Sequence, residues 1–510
     1  MDNPVLTPDN ELLTIAEVAS LFRVTQKTVR AMTDRGELPC YRVGGREERR
    51  FRKQDIMAYL ERHAQLEMRS HASSNIHKDD SSLSLRPTAV LNNGLRVQDW
   101  YLIPESYSEP LIIDAIERFG IPFGETVLDP FAGAGTTLVS AVLRGINAVG
   151  LEVNPFLSFA SEVKLNWNVD LTTFETSMSC ILNEARSLLD AVTTEQNLFT
   201  QSVSETTLRK ARTILSEQAQ PEMPRLHKWI SPAVVSKVLL LRYLIDSIVP
   251  IGIRRHFLLA LAAILRPASN MKLMPHAFGS NTFKEDAPVY DMFALKIRKM
   301  YDDLRYVQSL SHRVGRSLVV NCDARRAEVV QSDLLPASLA ITSPPYLNNL
   351  DYTMQTRLEL FFLGFVKNMN DLRTLRKGMV TCDAKAMYKD VHDSEEIEGV
   401  QSIMSIAEKM REAHKGKDWG WDYAYMTTQY FGGMLRVLRS VRPLIKPHGH
   451  FVLIVGESAH SGVKVPVPDF LAELGQRAGY TIHEINVLRR RRSSSHHFEL
   501  CESEVILQKR

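Results

Sequence analysis

The run Ser343-Pro344-Pro345-Tyr346 contains the residues of this sequence that are best suited to chemistry. Four residues of buried-strand type, Leu339 to Thr342, lead straight into it, so the strand must end in a stiff, extended loop. Two consecutive prolines restrict the direction of two carbonyls and supply no amide donor, which suits a site that accepts hydrogen bonds from a substrate amino group. Tyr346 offers a flat face to a planar ring. By themselves these residues fit a structural Pro-Pro turn beside a core tyrosine equally well.

A second run, Thr126 to Thr137, has the order strand, glycine turn and helix start. Gly133 and Gly135 permit a sharp turn and a close approach of the backbone to a ligand. Glu152 follows Asp129 by 23 residues, at the end of the next predicted strand, where it can accept hydrogen bonds from both hydroxyls of a ribose. No lysine follows the second glycine, which excludes a Walker loop for a triphosphate.

The sequence thus contains three motifs: Asp129-Pro-Phe-Ala-Gly-Ala-Gly-Thr-Thr, Gly150-Leu-Glu-Val-Asn-Pro and Thr342-Ser-Pro-Pro-Tyr. Together they resemble the signatures of the S-adenosylmethionine-dependent DNA amino-methyltransferases, which methylate N4 of cytosine or N6 of adenine. The resemblance implies an α/β fold with a Rossmann-like, seven-stranded methyltransferase sheet. It also implies S-adenosyl-L-methionine as cofactor, double-stranded DNA as partner and a target base flipped out of the duplex.

The same resemblance assigns roles to individual residues. Catalysis falls to Ser343, Pro344, Pro345 and Tyr346: the Ser343 hydroxyl and the Pro344 carbonyl would accept both protons of the amine, and Tyr346 would stack on the base. Cofactor binding falls to Asp129, Phe131, Gly133, Gly135, Thr136, Glu152, Asn154 and Asp323. Two weaker matches support this assignment, Val319 to Ala324 around Asp323 and Tyr107 to Pro110, which corresponds to the family's cofactor-side N-terminal segment.

The choice of base depends on the first residue of the catalytic loop. Ser343 resembles the N4-cytosine branch, whereas aspartate is commoner there in adenine enzymes, so we expect cytosine, with N6-adenine as the alternative. Attack at carbon 5 of cytosine needs a nucleophilic cysteine after a proline, and Pro39-Cys40 lies far from the cofactor motifs, so we interpret Cys40 as a small buried residue. The motifs are also compatible with a tRNA-type methyltransferase and with a DNA-binding transcriptional regulator that has an inactive methyltransferase domain.

Residues 12–63 have the order helix, turn, helix, basic hairpin, helix. The predicted helices are 15–22, 25–34 and 54–62, and the hairpin, 41–53, has a Gly-Gly tip. This order resembles the excisionase and MerR-like winged helix-turn-helix domains, and a helical protein-protein module is the alternative. The resemblance implies DNA contacts by Gln26, Lys27, Thr28 and Arg30 of the second helix and by Arg46, Arg49, Arg50 and Arg52 of the wing.

The remaining chain divides by composition and pattern. We predict a flexible linker at 64–85, catalytic core at 86–160, 316–352 and 428–510, a large helical insertion at 161–315 and a polar segment at 353–427. The insertion and the polar segment are the two candidates for target recognition. Strands at 480–488 and 504–508 would close the sheet, with Arg489, Arg490, Arg491 and Arg492 in the loop between them, where they would bind DNA phosphates.

Bulk composition limits the function classes. The 510 residues are 44% hydrophobic and 24% charged with a formal net charge of only +3, so a nucleic-acid surface must be a local patch. Five scattered cysteines without ligand spacing favour a reducing cytoplasm and predict no metal. The most apolar part, residues 234–265, is interrupted by charges and predicts buried helices, not a membrane span. A site-specific DNA methyltransferase in a restriction-modification or defence context is expected, which leaves room for a cognate nuclease as partner.

Overall fold

The computed structural model describes residues 12–15, 18, 29, 33, 38–43, 48–52, 89–194, 204–271, 283–310, 314–384, 388–415, 422–492 and 498–510. The chain divides into two compact units, residues 1–80 and 81–510. The predicted linker (64–85), the third N-terminal helix (54–62) and most of the first two predicted helices lie outside the described residues.

Three antiparallel strands form a sheet in the first unit: β1 (Leu12–Thr14), β2 (Tyr41–Val43) and β3 (Glu48–Arg52), with β3 in the centre. The pair β2 and β3 confirms the predicted hairpin. Strand β1 was not predicted, because three residues are too short to show alternation; it pairs Leu13 with Phe51. The described core residues of this unit are Val18, Val29, Leu38 and Phe51.

The second unit is built on a sheet of seven described strands, which confirms the predicted α/β class. The strands of this unit are β4 (Thr126–Asp129), β5 (Asn147–Leu151), β6 (Ser317–Val320), β7 (Ala337–Thr342), β8 (Ile445–Gly456), a separate antiparallel pair β9 (Ser458–His460) and β10 (Val463–Val465), then β11 (Tyr480–Arg492) and β12 (Glu499–Lys509). The order across the seven-stranded sheet is β11-β12-β8-β7-β4-β5-β6. Strands β4 to β8 run parallel, and β12 and β11 complete the sheet antiparallel.

The helices of this unit, in chain order, are α1 (Glu109–Arg118), α2 (Thr136–Val142), α3 (Pro155–Leu165), α4 (Leu171–Thr194), α5 (Glu205–Glu217), α6 (Leu226–Trp229), α7 (Pro232–Asp246), α8 (Ile251–Ala268), α9 (Val289–Ser309), α10 (Tyr352–Gln355), α11 (Arg357–Phe362), α12 (Met369–Lys377), α13 (Gln401–His414), α14 (Tyr423–Val441) and α15 (Val467–Arg477). Short 3-10 turns lie at Ala89–Asn92, Gln98–Trp100, Ala324–Val329, Asp393–Ile397 and Arg442–Leu444. Helices α7 and α8 are largely buried, as predicted for residues 234–265. Within the described residues, no helix is both long and apolar enough to cross a membrane.

The helical insertion covers one face of the sheet, while the polar segment packs on both faces. Buried apolar residues of the polar segment between 358 and 372 lie in the core cluster of the insertion, and those from Val380 onward lie in the other cluster. Alternate residues of a strand point to opposite sides, and in β7 Ile341 belongs to one core cluster while Ala340 belongs to the other. Helices α4, α5 and α7 to α9 of the predicted insertion pack in the cluster of Ile341. Residues of the polar segment, among them Ile397 and Ile403, pack in the cluster of Ala340 with α14 and α15. Both segments therefore contribute layers of the core, and a role of either in target recognition stays a prediction.

The arginine run 489–492 corrects one prediction. It lies inside β11, which continues to Arg492, and not in a loop. Its register pairs Arg490 with Cys501 and Arg492 with Glu499. The cross-strand ion pairs Arg490–Glu499 at 3.0 Å and Arg491–Glu502 at 3.6 Å compensate the basic charges. The acidic partners Glu499 and Glu502 belong to β12, so the arginine run alone indicated positive charge but not a strand.

Asp303 of α9 fixes the segment that precedes α1 against the insertion. Its carboxylate is 3% exposed and accepts hydrogen bonds from the Val97 amide and the Trp100 Nε1, both at 2.9 Å, and from Arg96 at 3.2 Å. Both Val97 and Trp100 are fully buried. The insertion thereby positions the chain that continues into the cofactor-side segment around Tyr107.

We expect Asp303→Ala to lower the free energy of unfolding by about 2 to 5 kcal/mol, because two buried N–H donors lose their acceptor. Urea denaturation followed by circular dichroism measures this loss. Asp302→Ala is the matched control: Asp302 is exposed, and its replacement should change the free energy by less than about 0.5 kcal/mol. Equal effects of the two substitutions would contradict the role of Asp303.

Candidate active site

A cleft of about 1190 Å³, counted with its open mouth, lies where the parallel strands β4, β5, β6 and β7 end. Ligands of open α/β sheets generally bind at the carboxyl ends of the strands. Six of the eight predicted cofactor residues line it: Phe131, Gly133, Thr136, Glu152, Asn154 and Asp323. Ser343 and Pro345 of the predicted catalytic loop line the same cleft. The structure thus brings the three sequence motifs together.

Asp129 lies beneath the cleft and is not among its lining residues. Its carboxylate, 1% exposed, accepts hydrogen bonds from the Phe131 amide at 3.0 Å, the Thr342 hydroxyl at 2.6 Å and the Thr137 hydroxyl. Burial raises the pKa of Asp129 to about 6, and these hydrogen bonds oppose the rise. The carboxylate therefore ties the glycine turn to the strand end that carries Ser343, while its predicted cofactor contact stays a prediction.

The glycine turn and Glu152 are joined directly. Gly133, with φ of +53°, donates its amide to Glu152 Oε2 at 2.8 Å, and the Asn154 amide donates to Oε1 at 2.7 Å. Burial raises the pKa of Glu152 to about 7. Gly135, with φ of +81°, does not line the cleft: a Cβ there would lie 2.9 Å from Ser161 Oγ, so this glycine is required for packing against α3.

Lys164 of α3 is a positioning residue that the sequence reasoning missed. It is fully buried, and its Nζ donates to the Ala134 carbonyl of the glycine turn at 2.7 Å and approaches the Gln98 side chain and the Tyr101 carbonyl at 3.4 Å. Burial lowers its pKa to about 7. Lys164 links the turn to the segment before α1, and only the fold could reveal this, because its partners are 30 or more residues away.

Asn154 and Asp323 both lie just beyond strand ends, and each caps the helical turn that begins there. Asn154 Oδ1 accepts from the Phe156 amide at 3.1 Å and caps α3, while its amide group donates to the Thr356 hydroxyl at 2.9 Å. Asp323 caps the 3-10 turn Ala324–Val329 and is held by Arg325, with Nη2 and Oδ2 2.8 Å apart. The same guanidinium donates to Asp393, a buried residue of the polar segment. That segment thus fixes the position of a predicted cofactor residue.

The catalytic loop divides between the cleft and the core. Ser343 and Pro345 face the cleft, whereas Pro344 and Tyr346 are not among its lining residues. The Tyr346 ring packs on Gly456, where an added Cβ would lie 3.2 Å from Cε2. Burial and the nearby Glu502 raise the pKa of Tyr346, while a hydrogen bond with the Ser343 side chain opposes the rise. The proposed stacking of a base on Tyr346 therefore stays a prediction.

Tyr352 and its neighbours were also missed as site residues. Tyr352 lines the cleft, and its hydroxyl accepts the Tyr346 amide at 3.0 Å, which steadies the loop from the cleft side. Asp351 lines the cleft as well and is paired with Arg376, whose Nε donates to the Thr353 hydroxyl at 3.0 Å. The sequence signal that could have identified these residues is an acidic residue followed by an aromatic one, Asp351-Tyr352, shortly after the catalytic loop.

Two cysteines line the cleft, Cys322 and Cys382, and neither follows a proline. Burial raises the pKa of both thiols, so the thiolate that attack at carbon 5 of cytosine requires is disfavoured. Cys40 belongs to the N-terminal unit, where it is partly buried against the core of that unit. Among the described residues, no group of three or more His, Cys, Asp or Glu side chains is arranged to hold a metal ion.

The predicted DNA-binding residues are only partly described. Gln26, Lys27, Thr28, Arg30 and Arg46 lie outside the described residues. In β3 the Arg49 guanidinium donates to the Thr33 hydroxyl, and Arg52 lies over the Tyr41 ring at 4.6 Å. Arg50 is partly buried on the same strand. DNA contacts by the wing and by the arginines of β11 stay predictions.

Comparison with known proteins gives two separate similarities. Residues 12–64 match the family profile of a helix-turn-helix domain. A 52-residue stretch (10% of this chain) is 48% identical to the transcriptional repressor DcmR of Methylorubrum extorquens, over 20% of that protein.

The chain is 22% identical over 438 residues to the type II methyltransferase M.BsoBI of Geobacillus stearothermophilus, which covers 79% of this chain and 82% of that protein. It is 23% identical over 445 residues to the type II methyltransferase M.AvaI of Nostoc sp., covering 83% and 86%. Methyltransferase homologues therefore span most of the chain, and a helix-turn-helix domain precedes the catalytic unit.

These homologues imply S-adenosylmethionine as methyl donor, and the cleft fits it. Gly133 has a positive φ, which side chains rarely adopt, and it leaves space beside the turn. An added Cβ there would have Ile103 as its nearest neighbour, at 3.4 Å. Glu152 offers one carboxylate beyond the end of β5, and Asp323 offers a second beyond the end of β6. A ligand with two cationic centres and one carboxylate, as this donor has, is favoured by such acidic surroundings.

We expect donor binding to weaken as the pH falls from 8 to 6. Glu152 has a raised pKa of about 7. It is predicted to accept hydrogen bonds from both ribose hydroxyls, which only its ionised form can do, so protonation below pH 7 would compete with the ligand. Glu152→Gln should bind more weakly at pH 8 and show a flatter pH dependence. Titration calorimetry of S-adenosylmethionine at four pH values measures both effects. Wild-type affinity in a folded Glu152→Gln variant would contradict the assignment.

Proposed function

We propose that this chain is a DNA methyltransferase that transfers a methyl group from S-adenosylmethionine to the exocyclic N4 amine of a flipped-out cytosine in duplex DNA, in a restriction-modification or defence context. The observation that carries the proposal is that the glycine turn, Glu152, Asp323 and Ser343 line one cleft. Similarity to type II methyltransferases over most of the chain supports DNA methylation. Serine as the first residue of the Ser-Pro-Pro-Tyr loop supports cytosine over adenine.

The bound donor supplies a methyl group activated by the positive charge on sulfur. The residues of the chain must make the amine nucleophilic, because its lone pair is delocalised into the ring. The Ser343 hydroxyl and the Pro344 carbonyl accept its two protons by hydrogen bonding and turn the lone pair toward the methyl group. Methyl transfer then releases one of these protons to solvent. The restricted backbone of the two prolines holds the Pro344 carbonyl without reorganisation, and the hydrogen bond with Tyr346 orients the Ser343 hydroxyl.

The flipped base requires compensation for the stacking that it loses, on the order of a few kcal/mol. Tyr346 and Tyr352 are the aromatic residues of the loop region, and the hydrogen bond from the Tyr346 amide to the Tyr352 hydroxyl, 3.0 Å long, holds them together. Stacking on one ring contributes about 1 to 3 kcal/mol. Tyr352 lines the cleft, and Tyr346 hydrogen-bonds with the Ser343 side chain, so stacking on Tyr346 would require its ring to turn toward the cleft.

We expect DNA from cells that produce the protein to contain N4-methylcytosine, detected by mass spectrometry of nucleosides. Ser343→Ala should lower turnover about a hundredfold or more, because one proton acceptor is lost, while the affinity for S-adenosylmethionine changes little. Cys40→Ala is the matched control and should keep full activity. N6-methyladenine in that DNA would move the choice to adenine, and methylated tRNA alone would remove DNA as the substrate.

We expect a variant that begins near Leu85 to methylate the same DNA sequence as the full chain but to bind DNA more weakly. The two units are separately compact, and the residues that read the target must keep a fixed register with Ser343, which favours segments of the second unit. The salt dependence of binding should become shallower, because phosphate contacts by Arg46, Arg49, Arg50 and Arg52 are lost. Sequencing of methylated sites checks the first expectation, and a changed recognition sequence would place target selection in the N-terminal unit.

A further inference from the structure

Among the described residues, five carboxylates line the cleft: Glu105, Glu152, Asp323, Asp351 and Asp383. Three of them have identified partners within the protein. Glu152 accepts two backbone amides, Asp323 is held by Arg325, and Asp351 is paired with Arg376. Asp383 is engaged by a neighbouring group as well. These contacts fix the direction of each carboxylate before any ligand arrives.

Glu105 has one buried oxygen, Oε2, that accepts no hydrogen bond from a described residue. Asp383 shares this feature at Oδ2, although a neighbouring group engages that residue. Arg266 is the cation close enough to act on Glu105, but that guanidinium donates to the Gln355 carbonyl. Burial raises the pKa of Glu105, although a hydrogen bond from its own backbone amide and the charge of Arg266 oppose the rise. A buried carboxyl oxygen without a donor costs about 1 to 3 kcal/mol or more, which indicates that a ligand supplies the missing donor.

The place of Glu105 identifies which end of the donor lies near it. Ser106, the next residue, has its hydroxyl 2.8 Å from the Thr136 hydroxyl at the start of α2. Ile103 approaches the Cβ position of Gly133 within 3.4 Å. The segment 103–107 is therefore the wall opposite the glycine turn. Glu152 and Asp323 are assigned to the ribose and the adenine, so this wall remains for the amino-acid end of the donor.

We propose that Glu105 binds the α-ammonium group of the methionine portion of the donor, an inference that rests on the proposed function. The ammonium carries up to three N–H donors, and one of them donates to Oε2. The pairing is charge-assisted in a largely buried wall, where such hydrogen bonds are strong. Asp129 is not suited to this part, since it lies beneath the cleft and four donors already contact its carboxylate.

Three ligands with an uncharged sulfur distinguish, in a binding experiment, the contributions of the ammonium and carboxylate groups of the donor. S-adenosylhomocysteine has both the ammonium and the carboxylate, its decarboxylated analogue has the ammonium alone, and methylthioadenosine has neither. We expect Glu105→Gln to weaken the first two about tenfold to a hundredfold in titration calorimetry, and to leave methylthioadenosine nearly unchanged. Glu117→Gln, an exposed position later in α1, is the control and should change none of the three.

Each outcome of this experiment has one meaning. Equal weakening of all three ligands by Glu105→Gln would overturn the proposal, because it would indicate a structural role of the wall. Unchanged binding of all three with lower turnover on DNA would also overturn it and would place Glu105 at the target base. If the unaltered protein bound none of the three ligands, the methyltransferase function itself would fail, which is a result distinct from both.

Discussion

The buried carboxylate of Asp129 is the contact on which the site depends. It joins the Phe131 amide, the Thr137 hydroxyl and the Thr342 hydroxyl, and therefore the end of β4, the start of α2 and the end of β7. Leu128 and Ala340 pair in the sheet close to these ends, so the backbone register and the carboxylate fix the same geometry twice. The carboxylate thereby links the glycine turn to the strand end before Ser343, although 213 residues separate Thr342 from Asp129 along the chain.

The large inserted segments are explained by a requirement of the sheet itself. A mostly parallel sheet must be covered on both faces, and the helices α4, α5 and α7 to α9 cover one face while α13, α14 and α15 cover the other. Each layer also reaches the site. Asp303 of α9 holds the wall that leads to Glu105, and Asp393 of the polar segment holds Arg325 against Asp323. The additions to the sheet therefore position the cleft from outside, whatever they contribute to DNA recognition.

Much of the site could be predicted from the sequence, because its motifs are local. The glycine turn, the acid at the next strand end and the Pro-Pro loop each place their side chains within a few residues of a strand end, and parallel strands bring those ends together. The missed features depend on partners that are remote in sequence. Lys164 acquires its role from Ala134 and Gln98, and the arginines of β11 acquire theirs from Glu499 and Glu502. The pattern gives the residue type of Asp129 but not the direction of its carboxylate, so its hydrogen bonds to the Thr137 and Thr342 hydroxyls could not be predicted.

The charge of the cleft constrains how DNA can approach it. Acidic residues dominate the ionisable groups among its described lining residues, and such a lining attracts a cationic donor but repels phosphate groups. On the proposed function, the sugar-phosphate backbone must remain at the rim, and only an uncharged base can enter. A base inside a duplex meets this condition only when it is rotated out of the stack. The electrostatics that favour the donor thus also require base flipping. The positive charge that binds the DNA backbone must lie on surfaces outside the cleft. A net charge of +3 over 510 residues gives no general attraction, so these surfaces must be local.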